Sequence, residues 1–198
     1  MPRPRTRDYT ELRLELVDAA GRLLTSEGPA ALSTRRVAQE VGVSTTAVYS
    51  LFGDKGGLVR AMFLAGFDRL TAAFDALPVT ADPVADLLAL GAAYRASALA
   101  NPHLYDLMFG RPIPEFQPTP DDLAQIQPSM DTLLRTVTRC LDAGAFAEAD
   151  PEAVAVHLNA LVHGLSSLEL RGALGPTTRA DELWTAALAA TMRGYATR

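Results

Sequence analysis

Apolar residues recur along this chain at helical spacing, and no useful stretch shows the alternation of a half-buried strand. Over residues 9–26, Leu12, Leu16, Ala19, Ala20, Leu23 and Leu24 share one face, and Glu27-Gly28-Pro29 ends the run. Two short periodic segments follow within LSTRRVAQEVGVSTTAVYSLFGDK, from Leu32 to Lys55. Ser33 caps the first, which turns Val37, Ala38 and Val41 inward. Gly42-Val43-Ser44 breaks it, since glycine suits a C′ position and Ser44 can accept the free N–H groups of a second helix through Thr45, Thr46, Ala47, Val48 and Tyr49. A longer run over residues 55–77 places Leu58, Met62, Phe63, Phe67, Leu70, Phe74 and Leu77 on one side, until Pro78 stops it. Further helices are predicted over 83–98, 101–107, 121–143, 150–171 and 178–195, with GRPIPEFQPTP as a proline-rich loop between two of them. No internal repeat is present. The expectation is an all-α fold.

Two short helices about a tight turn make a helix-turn-helix, whose second helix can lie across the major groove of DNA. The net charge of −5 looks unfavourable for a polyanionic partner until it is divided. Up to Gly56 there are eight Arg/Lys against seven Asp/Glu; from Gly57 onward there are ten against sixteen. The acidic excess therefore lies outside the helix-turn-helix, and the local field is what faces phosphate. With 198 residues and 48% hydrophobic content, the chain can bury a substantial core and is not of disordered composition. Cys140 is the single cysteine, so no disulfide framework forms within one chain. The opening MPRPRTRDY is basic without an apolar stretch behind it, and no run approaches the roughly 18 apolar residues of a membrane span, so a cytoplasmic protein is expected.

Catalytic chemistry finds little support. His157 and His163 are six apart and point to different faces of their helix, so they do not make an i, i+4 metal-binding pair. No glycine-rich phosphate loop or G-x-S-x-G elbow occurs, and no catalytic residue, metal site or cofactor is predicted. Cys140 beside Arg139 leaves one alternative open, a redox sensor with an acidified thiol.

The stretch from Leu12 to Leu58 resembles the DNA-binding domain of the tetracycline-repressor (TetR) family. The resemblance rests on the Ala-rich first helix ending at Glu27-Gly28, on Val37-Ala38, on Gly42-Val43-Ser44, and on Val48-Tyr49, Phe52 and Lys55-Gly-Gly-Leu58. A second resemblance, carried by LYDLMFGRP from Leu104 and by Val162-His163-Gly164-Leu165, is to a subgroup with a Trp-then-His-Gly signature. Here Asn159 stands at the tryptophan position. These likenesses imply a homodimer with an N-terminal arm and three-helix DNA-binding domain over 1–54. The helical region over 55–198 would bind a small molecule and dimerise.

In that frame Thr45 and Thr46 would reach base edges from the first turn of the recognition helix. Tyr49 resembles the tyrosine that clamps phosphate. Ser44, Ser50 and Lys55 could add phosphate contacts, as could Ser33 and Thr34 at a helix start. Arg35 and Arg36 could touch backbone or minor groove. Arg3, Arg5 and Arg7 would form an arm able to reach DNA. Gly56-Gly57 departs from the helix-favouring residues that usually follow the lysine, and predicts a frayed start to the next helix. A pocket for a largely apolar effector is expected among Phe67, Tyr94, His103, Met108, Phe109 and His163. The small and apolar Ala160, Gly164, Leu168, Leu183 and Ala187 would line a dimer interface; Trp184 would pack nearby. A C₂ dimer suits a roughly palindromic operator on double-stranded DNA, blocked by occupancy as a repressor blocks it. A ligand-blind regulator with a filled C-terminal core, and a thick monomer core in place of the interface, remain alternatives.

Overall fold

The computed structural model describes residues 8–197, and among these the backbone forms nine helices and one isolated β-bridge, Phe146 with Ala196. The helices are α1 (Tyr9–Glu27), α2 (Thr34–Val41), α3 (Thr45–Phe52), α4 (Lys55–Asp75) and α5 (Pro83–Ala100), followed by α6 (Pro102–Phe109), α7 (Pro120–Asp142), α8 (Pro151–Leu170) and α9 (Thr177–Tyr195). The expected all-α architecture is the observed one. The arm carrying Arg3, Arg5 and Arg7 lies outside the described residues.

The helix ends follow local chemistry. The Asp8 carboxylate accepts the Thr10 N–H at 3.1 Å to start α1, and the Gly28 N–H closes it on the Leu24 carbonyl at 3.0 Å. Asp82 accepts from Val84 and Ala85 ahead of α5, whose first residue is Pro83, where a missing N–H costs nothing. Proline also opens α7 at Pro120 and α8 at Pro151. The last helix starts at Thr177 behind Pro176, with no side-chain cap.

The chain packs as two compact units. The first holds the described residues up to Phe67 together with His103–Leu123; the second holds Asp68–Pro102 and the described residues from Ala124 onward. Compactness thus draws its line elsewhere than between residues 54 and 55. The reason is visible in the first unit. Leu16, Val17, Leu32, Val37 and Val48 are fully buried there, and so are Leu58 and Met62 from α4 and Leu104 from α6. Each such side chain contributes about 1.5–3 kcal/mol. Two glycines inside helices let α6 approach. A Cβ on Gly21 of α1 would stand 2.0 Å from His103 Cδ2, and one on Gly66 of α4 would stand 2.5 Å from Met108 Sδ. Aromatic rings fill the space behind, with Phe63 against Phe67 and Phe116, and Phe109 against Phe67 and Tyr105. Asp122 is buried, and desolvation alone would raise its pKa. The Thr119 N–H and hydroxyl and the Arg60 guanidinium outweigh that and hold the carboxyl below its ordinary value.

In the second unit α5 packs on α8, with Gly91 facing Val162 of α8 and Leu188 of α9. Charges tie these helices. Arg95 of α5 reaches Glu169 of α8 through two nitrogens, at 2.8 and 2.5 Å, and Asp181 of α9 at 2.7 Å. Its guanidinium also lies 5.3 Å from the Trp184 ring centre, while the Trp184 indole N–H donates to Glu169 at 2.8 Å. Arg139 of α7 donates to the buried Asp86 at 2.7 Å and to the Thr80 carbonyl at 2.6 Å. By length and mean hydropathy α8 is apolar enough to cross a membrane, although Glu152, His157, Asn159, His163 and Glu169 interrupt its apolar run, as the sequence expectation has it. Here it lies against α5 and carries the paired Glu169.

Candidate nucleic-acid interface

Helices α2 and α3 are each only eight residues long, too short to persist alone, so caps and tertiary anchors must hold them. The Ser33 hydroxyl oxygen accepts the Arg36 N–H at 3.2 Å, and the Ser44 oxygen accepts the Ala47 N–H at 3.2 Å. Both serines therefore cap as expected, and both keep a hydroxyl proton to donate outward. Gly42 closes α2 in the left-handed region, at φ 72° and ψ 36°, with its N–H on Ala38 and Gln39. That turn lets α3 start in a new direction.

On α3 a single residue, Val48, is buried, and Ala47, Leu51 and Phe52 are half-buried on the same side. Thr45, Thr46, Tyr49 and Ser50 all face solvent, at spacings of one, three, four and five residues that gather on one helical face. Tyr49 is 52% exposed, high for a ring with an apolar body, and it stands one turn from the threonines. Ser33, Arg35, Arg36, Ser44 and Lys55 are exposed as well. Thr34 is not: it is 8% exposed at the first position of α2, so its side chain is withdrawn from any contact surface. Arg36 is engaged within the protein, its guanidinium 2.9 Å from Glu27, and that hydrogen bond raises its pKa. Lys55 Nζ donates to the Pro29 carbonyl at 3.4 Å, linking the start of α4 to the α1–α2 loop. Arg13 of α1 lies over the Phe52 ring at 5.7 Å.

The first turn of α4 is formed rather than frayed. The Asp54 carboxylate accepts the Gly57 N–H at 2.8 Å, and a Cβ on Gly57 would lie 1.8 Å from the Phe52 carbonyl oxygen. The unexpected glycine therefore answers a close approach of backbones that the sequence alone did not disclose.

The other predicted residues are scattered more widely. Phe67, His103, Met108 and Phe109 belong to the first unit, Tyr94 and His163 to the second. His103 and Met108 are the side chains seated over Gly21 and Gly66, so both have packing roles. In the second unit the Tyr94 hydroxyl is 3.3 Å from His163 Nδ1, and burial depresses the His163 pKa. Ala160 and Leu168 of α8 are exposed; Gly164 of α8 and Leu183 and Ala187 of α9 are half-buried. Cys140 is fully buried, and desolvation pushes its thiol up to about 11, outweighing the lowering by Arg139, which is itself committed to Asp86 and Thr80. That environment is the reverse of a redox sensor's.

Two family descriptions match this chain: "Bacterial regulatory proteins, tetR family" over residues 16–62, and "Tetracyclin repressor-like, C-terminal domain" over residues 87–191. The chain belongs to the TetR family. Members of this family are DNA-binding transcriptional regulators, and the residues matched first contain the whole capped α2–α3 unit. Among solved TetR-like folds, a protein of unknown function from Rhodococcus sp. RHA1 is 32% identical, with a TM-score of 0.82 over 99% of this chain and 100% of that one. The TetR regulator PfmR from Thermus thermophilus is 22% identical, with a TM-score of 0.75 over 90% and 97%, a likeness of fold. HTH-type transcriptional regulators of Mycobacterium tuberculosis and Mycobacterium bovis are 28% identical over 121 residues. That match covers 59% of this chain, and the chain spans about half the length of these curated relatives (51%).

Proposed function

We propose that this TetR-family chain is a sequence-specific DNA-binding repressor that acts in the cytoplasm as a homodimer and is released from its operator by a small, largely apolar effector. The observation that carries the reading is the exposed face of α3, where Thr45, Thr46, Tyr49 and Ser50 stand out from a helix anchored by buried Val48. Threonine hydroxyls and methyls suit base edges without the sharp bidentate selectivity of Arg or Asn, so DNA shape shares in specificity. Tyr49, Ser44, Ser33, Ser50 and Lys55 set register on phosphate, and Arg35 adds charge beside them. Residues 1–54 serve as the DNA-binding part and 55–198 as the regulatory and dimerising part.

Dimerisation is supported by the face of α8 that carries Ala153, Val156, Ala160 and Leu168, all exposed in the single chain, with Val156 at 61%. Ala186 and Ala190 of α9 are exposed in the same way. Small side chains over that length favour a second helix pair, and a two-fold dimer fits an inverted-repeat operator. An effector would have to prefer the DNA-free form, and DNA would weaken effector binding by the same factor.

The test is operator selection from random duplex DNA with the purified chain. An inverted repeat should be enriched. Tyr49→Phe should weaken binding to it about tenfold, the worth of a hydrogen bond to a charged oxygen, and Thr46→Ala should relax selectivity at the bases it touches. Failure to enrich any sequence would sink the reading.

A further inference from the structure

We propose that Gly57, outside the face that meets DNA, is a positioning residue that fixes the pose of the recognition helix, and that Asp54 holds it in place. The inference rests on α3 being the helix that reads DNA.

Helix α3 has few constraints on its orientation. Val48 is its one buried anchor, and Ser44 caps its entry. Its exit is Phe52-Gly53, with Gly53 at φ 77° and its N–H on the Tyr49 carbonyl at 2.8 Å. What fixes that exit is the first turn of α4. The Gly57 N–H is pinned by Asp54 at 2.8 Å, and its Cα side is pressed toward the Phe52 carbonyl. A Cβ there would stand 1.8 Å from the carbonyl oxygen and 3.0 Å from its carbon. These are backbone atoms of the recognition helix's last turn, and they cannot swing aside as a side chain can. Restoring ordinary contact would require α3 and α4 to part by roughly 1.5 Å at this point. The neighbouring Gly56 is a milder comparison, because a Cβ there would meet only a side-chain atom, the Asp54 carboxylate oxygen that accepts the Gly57 N–H, at 3.2 Å.

A shift of that size matters unequally to the two kinds of DNA contact. Base contacts from Thr45 and Thr46 demand tight placement, whereas contacts to the phosphate chain tolerate re-registration and carry no sequence information. Gly57→Ala should therefore cost specificity before it costs affinity for DNA as such.

The experiment measures, by gel shift, binding of the full chain and its variants to a selected operator and to a scrambled duplex of equal length, alongside thermal unfolding. Gly57→Ala should weaken operator binding at least about tenfold while scrambled-duplex binding stays within about twofold, the pattern of lost base contacts on intact phosphate contacts. Gly56→Ala, whose Cβ would displace only the Asp54 carboxylate, should lower the operator-to-scrambled ratio no further than Asp54→Ala does. If Gly57→Ala does not fold, the Asp54 pair decides: Asp54→Ala should lower the operator-to-scrambled ratio, and Asp54→Asn, which still accepts the Gly57 N–H, should restore it. An unchanged ratio in Gly57→Ala, or parallel loss of both affinities with the melting temperature, overturns the proposal. So does an Asp54→Ala variant of wild-type selectivity where Gly57→Ala is unfolded. A wild-type chain that selects no operator overturns instead the reading of α3 on which it rests.

Discussion

The recognition helix and the α5–α8–α9 junction are built on opposite plans. Helix α3 spans eight residues, buries one, and turns a polar face outward, so that its neighbours in sequence are also its partners in function. The junction ties helices of eighteen to twenty residues through Arg95, Glu169, Asp181 and Trp184, which lie up to 89 positions apart in sequence and close in space. A surface that grips a polyanion must be exposed and contiguous. A junction between long helices must instead place a few charges where solvent is scarce and pair them fully. The first plan is fragile in orientation and the second in electrostatics.

The largest effect should come from breaking the second. Glu169→Ala leaves Arg95, 19% exposed, with only Asp181, and strips the indole N–H of its acceptor. Removing one partner of such a pair costs about 3 kcal/mol, to be read from urea unfolding; Glu169→Gln, which retains an acceptor, should recover part of it. A loss under about 0.5 kcal/mol would mean that the junction behaves as a surface pair. Next comes the cap of the recognition helix. Ser44→Ala should cost about 1 kcal/mol and lower operator affinity, while Ser44→Asp should keep the cap but repel phosphate, separating stability from binding.

The smallest effect sharpens the contrast through pH. Burial holds His163 neutral, with its pKa below the ordinary value. The stability this contributes is present above a pH of about 6.5 and is lost as pH falls through the folded-state value. Glu169 and Asp86 are also depressed, the first chiefly by Arg95 and the second chiefly by the Thr80 hydroxyl and then Arg139, but their contributions are lost only below about pH 4. Between pH 7.5 and 5.5 the wild type should therefore lose melting temperature that His163→Gln retains. Equal slopes for the two proteins would show His163 to be solvated.

How much of this was legible in the sequence follows the same division. The helix-turn-helix was readable because caps and breakers act on their own neighbours: Ser33, Gly42 and Ser44 do their work within four residues. Thr34 is named in the sequence for its place at a helix start, and that local pattern does not disclose that α2 turns its side chain inward. The pairing of Arg36 with Glu27 lies in a contact nine residues apart across a turn, for which no local pattern exists. Gly21 and Gly66 carried a signal, since glycine inside a helix costs about 1 kcal/mol against alanine and implies a close neighbour. Nothing local named His103 and Met108 as those neighbours. The sequence says least about the expected pocket residues, because an apolar side chain in a helical chain reads the same whether it meets a core or a ligand.

Trp184 is the one tryptophan in the chain. Its ring lies under the Arg95 guanidinium and its N–H points at Glu169. Indole emission responds to the field of nearby charges, so the protein carries a built-in fluorophore at the meeting point of α5, α8 and α9. Any event that rearranges this junction should change the colour of its light without a label being attached.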